Sequence, residues 1–271
     1  MNNRPIGLLD SGVGGLTVVK QILRQLPHES TIFIGDQARL PYGTKTPPEI
    51  INFARQLVRF LISKNAKMIV IACNTATAAA LPTLRREFNL PIIGVIASGS
   101  QAAVKQTKNQ RVAVIATPAT IKSHAYSDAI QQLQANIQVK GLATPEFVTI
   151  VENNQYRAQA TQQIVQQTLS PLNEFAMDTL VMGCTHFPLL QPLIQQAVGP
   201  NVQLIDAGGA TVQAVSTQLQ QLKLKASDKQ IPQHQFYTTG KTEQFVKIAN
   251  DWLQPAVITA QHVEVTALEE S

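Results

Sequence analysis

Two cysteines, each closing an apolar run, are the residues of this sequence best placed to do chemistry. In Val70-Ile71-Ala72-Cys73-Asn74-Thr75-Ala76-Thr77 the run 68–72 reads as a buried parallel strand, and the chain turns helical over 78–88. Leu180-Val181-Met182-Gly183-Cys184-Thr185-His186-Phe187-Pro188 repeats that grammar later in the chain. A thiol between a strand end and a helix start meets backbone N–H groups and the positive end of the helix dipole, which favour its anion. Carboxylates nearby act the other way, raising the pKa and making the ion more basic. One such thiol per structural half, the two facing each other across a cleft, suits removal of a proton from one face of a carbon and its return on the other. Inversion of a stereocentre needs that geometry. A proton alpha to a carboxylate is weakly acidic, so the developing enediolate also needs a dense set of hydrogen-bond donors.

Candidate donors are Ser11, Asn74, Thr75, Thr117, Thr120 and Thr185. Asp10 stands where it could assist Cys73, and His186 and Glu152 where they could orient or protonate at Cys184. Each of these residues taken singly has a plainer reading. A free cysteine is commonly core, Asp10 fits a loop or helix cap, Glu152 a surface position, and His186 a satisfied structural polar group. The duplicated polar context around the two thiols favours the chemical reading. Other cysteine chemistries fit less well. There is no CxxC pair for thiol exchange, and neither 74–80 nor 185–191 contains the Arg that a phosphate-transferring loop would want. A hydrolase with Cys184 as nucleophile and His186 as base stays open. Zinc would find poor tetrahedral spacing, and no lysine follows a buried strand as a Schiff-base residue for pyridoxal phosphate would.

The elements that must carry these residues alternate strand and helix. Apolar runs at 5–9, 31–35, 67–72 and 91–95 read as strands, with helices to about 26 and over 48–64 and 78–88 between them. The glycines of Asp10-Ser11-Gly12-Val13-Gly14-Gly15 permit a tight strand-to-helix turn, but the spacing is not that of a dinucleotide fingerprint. Asp36-Gln37-Ala38-Arg39-Leu40-Pro41-Tyr42-Gly43 is an irregular loop in which Tyr42 offers an aromatic wall with a hydroxyl. A second unit begins near 97. It has a helix over 98–105, strands at 111–116 and 137–142, helices over 121–134 and 155–173, and a mixed segment over 143–152. Strands at 179–182 and 202–205, helices over 188–198 and 210–221, a surface connection over 223–233, a strand at 236–239, a helix over 243–252 and a strand within 260–265 complete the expectation. This alternation predicts an α/β protein with mostly parallel sheets, in which ligands gather at the carboxyl ends of strands. Asp10, the 36–43 loop and Cys73 all fall there.

Composition sets bounds on function. The 271 residues carry 44% hydrophobic and 14% charged residues, enough for a full core, with glutamine supplying much of the polar surface. The net charge of +5 is compatible with attraction of small anions, and no basic run exceeds Arg85-Arg86, so nucleic acid is not expected as the main partner. Two cysteines so far apart do not make a disulfide scaffold and fit reduced thiols in the cytosol. No signal-peptide pattern and no membrane-spanning run is read in the sequence.

The stretches DSGVGGLTV (10–18), GDQARLPYG (35–43), CNTAT (73–77), GVI (94–96), ATPATIKSHAY (116–126), FVTIVE (147–152) and GCTHFPLL (183–190) together resemble the cofactor-independent glutamate racemases of bacterial cell-wall synthesis, in the aspartate/glutamate racemase superfamily. The resemblance runs over nearly the full chain. It implies two pseudo-symmetric α/β domains with the active site in the cleft between them, 1–96 plus 207–271 carrying Asp10 and Cys73, and 97–206 carrying Glu152, Cys184 and His186. It implies interconversion of L- and D-glutamate without pyridoxal phosphate or metal, supplying D-glutamate to peptidoglycan. Cys73 would handle the α proton of D-glutamate with Asp10 assisting. Cys184 would handle that of L-glutamate, with Glu152 and His186 assisting. Asp10, Ser11, Pro41, Tyr42, Gly43, Asn74, Thr75, Thr117, Thr120 and Thr185 would cradle the substrate, and the protein would be a cytoplasmic homodimer. An aspartate racemase of the same superfamily, or a non-catalytic binding protein on that scaffold, are the alternatives. Two departures stand out: Phe187 replaces a common Tyr, and Thr144-Pro145-Glu146 replaces a Cys-Pro-Leu pattern.

Overall fold

The computed structural model describes residues 1–270. The first unit runs β1 (Ile6–Asp10), α1 (Leu16–Gln25), β2 (Thr31–Gly35), α2 (Pro47–Ser63), β3 (Met68–Ile71), α3 (Asn74–Glu87) and β4 (Ile92–Gly94). The chain continues through α4 (Val95–Gln106), β5 (Arg111–Ala116), α5 (Pro118–Lys122), α6 (Ala125–Leu133), β6 (Gln138–Ala143), α7 (Pro145–Glu152), α8 (Gln159–Leu169), β7 (Thr179–Gly183), α9 (Gln191–Val198) and β8 (Gln203–Asp206). It ends with α10 (Ala207–Gln221), β9 (His234–Thr238), α11 (Thr242–Trp252), β10 (Gln261–His262) and α12 (Val265–Glu269). One sheet has the order β10-β9-β2-β1-β3-β4 and the other β6-β5-β7-β8, and every pairing is parallel. Among the described residues no helix is long and apolar enough to cross a membrane.

Parallel strands covered on both faces must be apolar along their length, which is why β1, β2, β3 and β7 are buried throughout. The register then lines up their polar ends. Asp10 pairs with Gly35, Leu9 pairs with Ile71, and the Ala72 amide donates to the Leu9 carbonyl, so Asp10, Asp36 and Cys73 emerge along one edge. In the second sheet Ala116 pairs with both Ala143 and Gly183, so Thr117, Thr144 and Cys184 emerge level with one another. A single apolar cluster joins the two sheets, running from Leu8, Val13 and Leu16 to Phe147, Phe187 and Leu190. Phe187 is fully buried and meets Phe147 edge-on at 5.5 Å, so its departure from Tyr removes a hydroxyl from the core rather than from the cleft.

Several expected elements come out differently. The helix expected over 121–134 is two helices, α5 and α6, because His124 takes a left-handed conformation at φ 57°. Residues 143–152 are mostly the regular helix α7, opened by Pro145 at its first turn. The helix expected over 155–173 is confined to α8 and gives way to a 3-10 segment, Ser170–Phe175, where Pro171 cannot donate. Only Gln261 and His262 of the expected 260–265 strand pair with β9, and the chain then forms α12, which buries Leu268. After Cys184 the chain makes a 3-10 turn, Phe187–Leu190, before α9 starts.

At the opposite ends of the first sheet's strands lies a buried ion pair. Lys67 Nζ is 2.5 Å from Glu29 Oε2 and also donates to the Asn2 carbonyl, while Glu29 Oε1 accepts from the Ala226 amide. It ties the N-terminus, β3 and the 223–233 connection together. Lys67→Met strands a buried carboxylate, and we expect a loss of about 3–5 kcal/mol in urea unfolding, part of it recovered by adding Glu29→Gln. A loss below about 1 kcal/mol would show that the carboxylate reaches water.

Candidate active site

The edges just described face each other. A cleft of about 250 Å³ is lined from the first sheet by Ser11, Pro41, Tyr42, Gly43, Cys73, Asn74 and Thr75. From the second sheet it is lined by Thr117, Pro145, Val148, Cys184, Thr185 and His186. Both cysteines are free, and both open onto this one space. Among the described residues no lysine or arginine lines it. Among the described residues no group of three or more His, Cys, Asp or Glu side chains is gathered as a metal site would require. A wider crevice of about 470 Å³ opens between the 152–157 segment and α11, and holds neither thiol.

The two corners are built differently. Cys73 is the N-cap of α3: its Sγ accepts from the Ala76 amide at 3.4 Å and lies 3.6 Å from Ser11 Oγ as donor. The Ala76 N–H, and the Ser11 hydroxyl once it turns its own proton to the sulfur, favour the thiolate, but burial and the neighbouring Asp10 charge outweigh them and push the thiol up to about 12. Cys184 has no helix behind it, only the 3-10 turn, and is served by a histidine instead. His186 Nδ1 is 3.5 Å from Cys184 Sγ, and its Nε2 is 2.6 Å from Glu152 Oε1. Burial lowers the affinity of that imidazole for its second proton, yet the bonds to Cys184 and Glu152 win and hold its pKa well above the ordinary histidine value. Glu152, three-quarters or more hidden in its side chain at 15% exposure, therefore reaches Cys184 through His186 and not directly.

Asp10 ends β1 with no exposure. Its Oδ2 accepts from the Gly12 amide at 3.0 Å, and its Oδ1 accepts from the Thr185 hydroxyl of the opposite wall at 3.4 Å. Burial raises its pKa to about 6 against the pull of His186 and the glycine amides. The two walls touch closely here. A Cβ on Gly14 would come within 2.7 Å of His186 Cε1, so only glycine permits this approach.

Elsewhere the cleft is a set of neutral donors. The hydroxyls of Thr75, Thr117 and Thr120 form a triangle with sides of 2.9, 3.1 and 3.0 Å that bridges the two walls. Thr117 also N-caps α5. Tyr42 departs from expectation: its hydroxyl does not face the cleft but donates to the buried Asp36 Oδ2 at 2.5 Å. Asp36 also accepts from Arg39 Nε and the Thr239 hydroxyl, and so pins the loop that presents Pro41, Tyr42 and Gly43. Sequence reasoning missed Asp36 as an individual, although its place after an apolar strand, level with Asp10, was a usable signal. It also missed Leu40, Pro118, Val148 and Thr149, whose apolar parts close the cleft.

Known proteins are similar to this chain in sequence and fold. Residues 6–215 match the family described as Asp/Glu/Hydantoin racemase. A glutamate racemase of Lactiplantibacillus plantarum is 50% identical over 266 residues, 97% of either chain. A glutamate racemase isoform of Bacillus anthracis superposes with a TM-score of 0.94 at 41% identity, covering 98% of this chain and 99% of its own. The Francisella tularensis glutamate racemase, solved in complex with D-glutamate, gives 0.91 at 34% identity over the whole of both chains. The aspartate racemase of Picrophilus torridus shares the fold alone, with a TM-score of 0.53 at 18% identity over 79% of this chain and 94% of its own.

Asp10 holds its proton more tightly in the folded chain than in the unfolded one, so its contribution to wild-type stability falls as pH rises from the ordinary carboxylate value of 3.8 to about 6. Asp10→Asn cannot titrate. Its stability relative to wild type is expected to rise across that window by up to about 3 kcal/mol, two pKa units at about 1.4 each, and to stay level above it. Urea midpoints of both proteins across the window check this, and a difference that does not move with pH would overturn it.

Proposed function

The chain belongs to the Asp/Glu/hydantoin racemase family, and we infer from this that it interconverts L- and D-glutamate by a proton transfer shared between Cys73 and Cys184. The observation that carries the reading is the pair of thiols on opposite walls of one cleft, each with its own ionisable partner. Two such groups can address the two faces of one α carbon.

For D-glutamate, the Cys73 thiolate takes the α proton and the Cys184 thiol returns one on the other face. For L-glutamate the roles exchange. Each turnover moves one proton onto one sulfur and one off the other, so product formation leaves the pair set for the reverse direction. The substrate ammonium supplies the positive charge that the Cys73 corner lacks, and Asp10 balances it once ionised. On the other side, protonated His186, backed by Glu152, can give Cys184 a proton or balance its charge. The carboxylates would be held by Ser11, Asn74, Thr75, Thr117, Thr120 and Thr185, with backbone amides of the Pro41-Tyr42-Gly43 loop. These donors are neutral and can serve the enediolate as it forms.

The sheet membership supports a division into 1–96 plus 207–271 and 97–206, since β9 and β10 return to the first sheet while β8 closes the second. The reading extends to a cytoplasmic homodimer that supplies D-glutamate to peptidoglycan. Its need for two reduced thiols supports the compartment.

Circular dichroism of either glutamate enantiomer with the purified protein and no added cofactor is expected to decay to zero. Turnover of aspartate with glutamate untouched would sink the substrate assignment. Cys73→Ser and Cys184→Ser, made separately, are each expected to slow racemisation by at least about a hundredfold, roughly 2.7 kcal/mol of barrier. Wild-type rates in both would rule out the two-thiol mechanism.

A further inference from the structure

Between the two thiol corners, under the floor of the cleft, lies a buried residue that does not line the substrate space. Tyr126 stands in the first turn of α6 and is buried against Val95, Ile96, Val181 and Ala207. It reaches that position because His124 breaks the helix before it. α5 is left beside the cleft, with its N-cap Thr117 in the lining and Thr120 buried behind it on Thr75 and Thr117, while α6 drives its first turn beneath. The slot is narrow: a Cβ on Gly183, next to Cys184, would stand 3.1 Å from the Tyr126 ring and 2.9 Å from the Ile115 carbonyl oxygen. The ring belongs to the second unit, and its hydroxyl crosses to the first, donating to Asn74 Oδ1 at 2.6 Å.

We propose that Tyr126 is a positioning residue for Asn74, locking the side-chain amide with its oxygen inward and its NH2 aimed at the substrate carboxylate. The inference rests on the racemase reading of the same cleft. Burial, then the charges of Asp206 and Cys184, keep the tyrosine hydroxyl protonated. A buried O–H requires an acceptor, and Asn74 Oδ1 is the one it has. An amide has one accepting and one donating end, so committing the oxygen to Tyr126 commits the nitrogen to the other side. Asn74 lines the cleft, and among the described residues its Nδ2 bonds to no protein acceptor. Turned by half a rotation, the amide would give its N–H to the tyrosine oxygen, take away the acceptor of the buried O–H, and set a carbonyl oxygen against the substrate's negative charge. Tyr126 thus makes Asn74 a donor with no charge of its own in the cleft.

The test is a double-mutant cycle read in KM and kcat for both enantiomers. Tyr126→Phe keeps the ring and removes the lock. KM is expected to rise about tenfold for L- and D-glutamate alike, with kcat within about threefold of wild type. In an Asn74→Ala background the same change should leave KM within about twofold, because the residue it acts through is gone. A wild-type KM for Tyr126→Phe, or an equal rise in both backgrounds, would overturn the proposal, since a packing role alone gives additive effects. If Tyr126→Phe does not fold, Asn74→Asp is compared with Asn74→Ala. With Tyr126 holding one oxygen, the aspartate presents an acceptor to the substrate and should show the higher KM, and an equal or lower one would overturn the lock. A wild type that leaves glutamate untouched would overturn the racemase reading and this inference with it, whereas an active wild type with an indifferent Tyr126→Phe overturns this inference alone.

Discussion

A carboxylate and a thiol buried side by side set the terms for the rest of this molecule. The Asp10 charge raises the pKa of Cys73, and burial raises both groups, so the corner resists holding two negative charges at once. What relief there is comes from fixed dipoles, the amides of Gly12, Gly15 and Ala76, and from across the cleft, where Thr185 donates to Asp10 and His186 supplies positive charge. The first unit's charge state is therefore partly written by the second. That coupling requires the walls to meet within hydrogen-bond distance, and the glycine at position 14 is what lets them. The parallel register of both sheets is the scaffolding for this meeting, because it delivers Asp10, Asp36 and Cys73 along one edge and Thr117 and Cys184 along the other.

The resemblance between the two halves is one of chain path and not of electrostatics. Both cysteines leave a buried strand, but only Cys73 caps an α-helix, while Cys184 enters a 3-10 turn and leans on His186 and Glu152. Backbone dipoles serve one corner and a titratable relay the other. A reversible reaction that uses the thiols in alternation does not need them to be equal. It needs the free energies of the two single-proton states to be close, and different local means can reach a similar balance.

Much of this was legible in the sequence because the information was local. Apolar runs ending in polar residues located the strands and put Asp10, Cys73 and Cys184 at their carboxyl ends, and the hydroxyls and His186 followed from adjacency. What escaped was whatever depends on a partner far along the chain. Tyr126 matters for a contact with Asn74 and does not look unusual in its own segment, and Asp36, marked only by its place after a strand, matters for holding Tyr42. Glu152 reads locally as a surface residue. Its bond to His186 is formed only when α7 packs on the turn after Cys184. The break at His124 lacks the Gly or Pro that would mark it, and β10 was overextended because alternation over a few residues does not separate an edge strand from the short helix that follows.

The triangle of Thr75, Thr117 and Thr120 has a consequence of its own. Three hydroxyls own three protons, and when each donates to the next the circuit is closed and every proton is spent. The circuit can run in either sense, so the arrangement has a two-fold degeneracy and no net charge. An arriving carboxylate must break the circuit to be received, and two of its three bonds, Thr75 to Thr117 and Thr75 to Thr120, join the two walls, so a hydroxyl that turns from either releases one of them. Such bonds are worth on the order of 1 kcal/mol each. Capture of an anion and loosening of the clasp between the two sheets are thus a single exchange of partners, and the return of the circuit is a driving force for letting the product go.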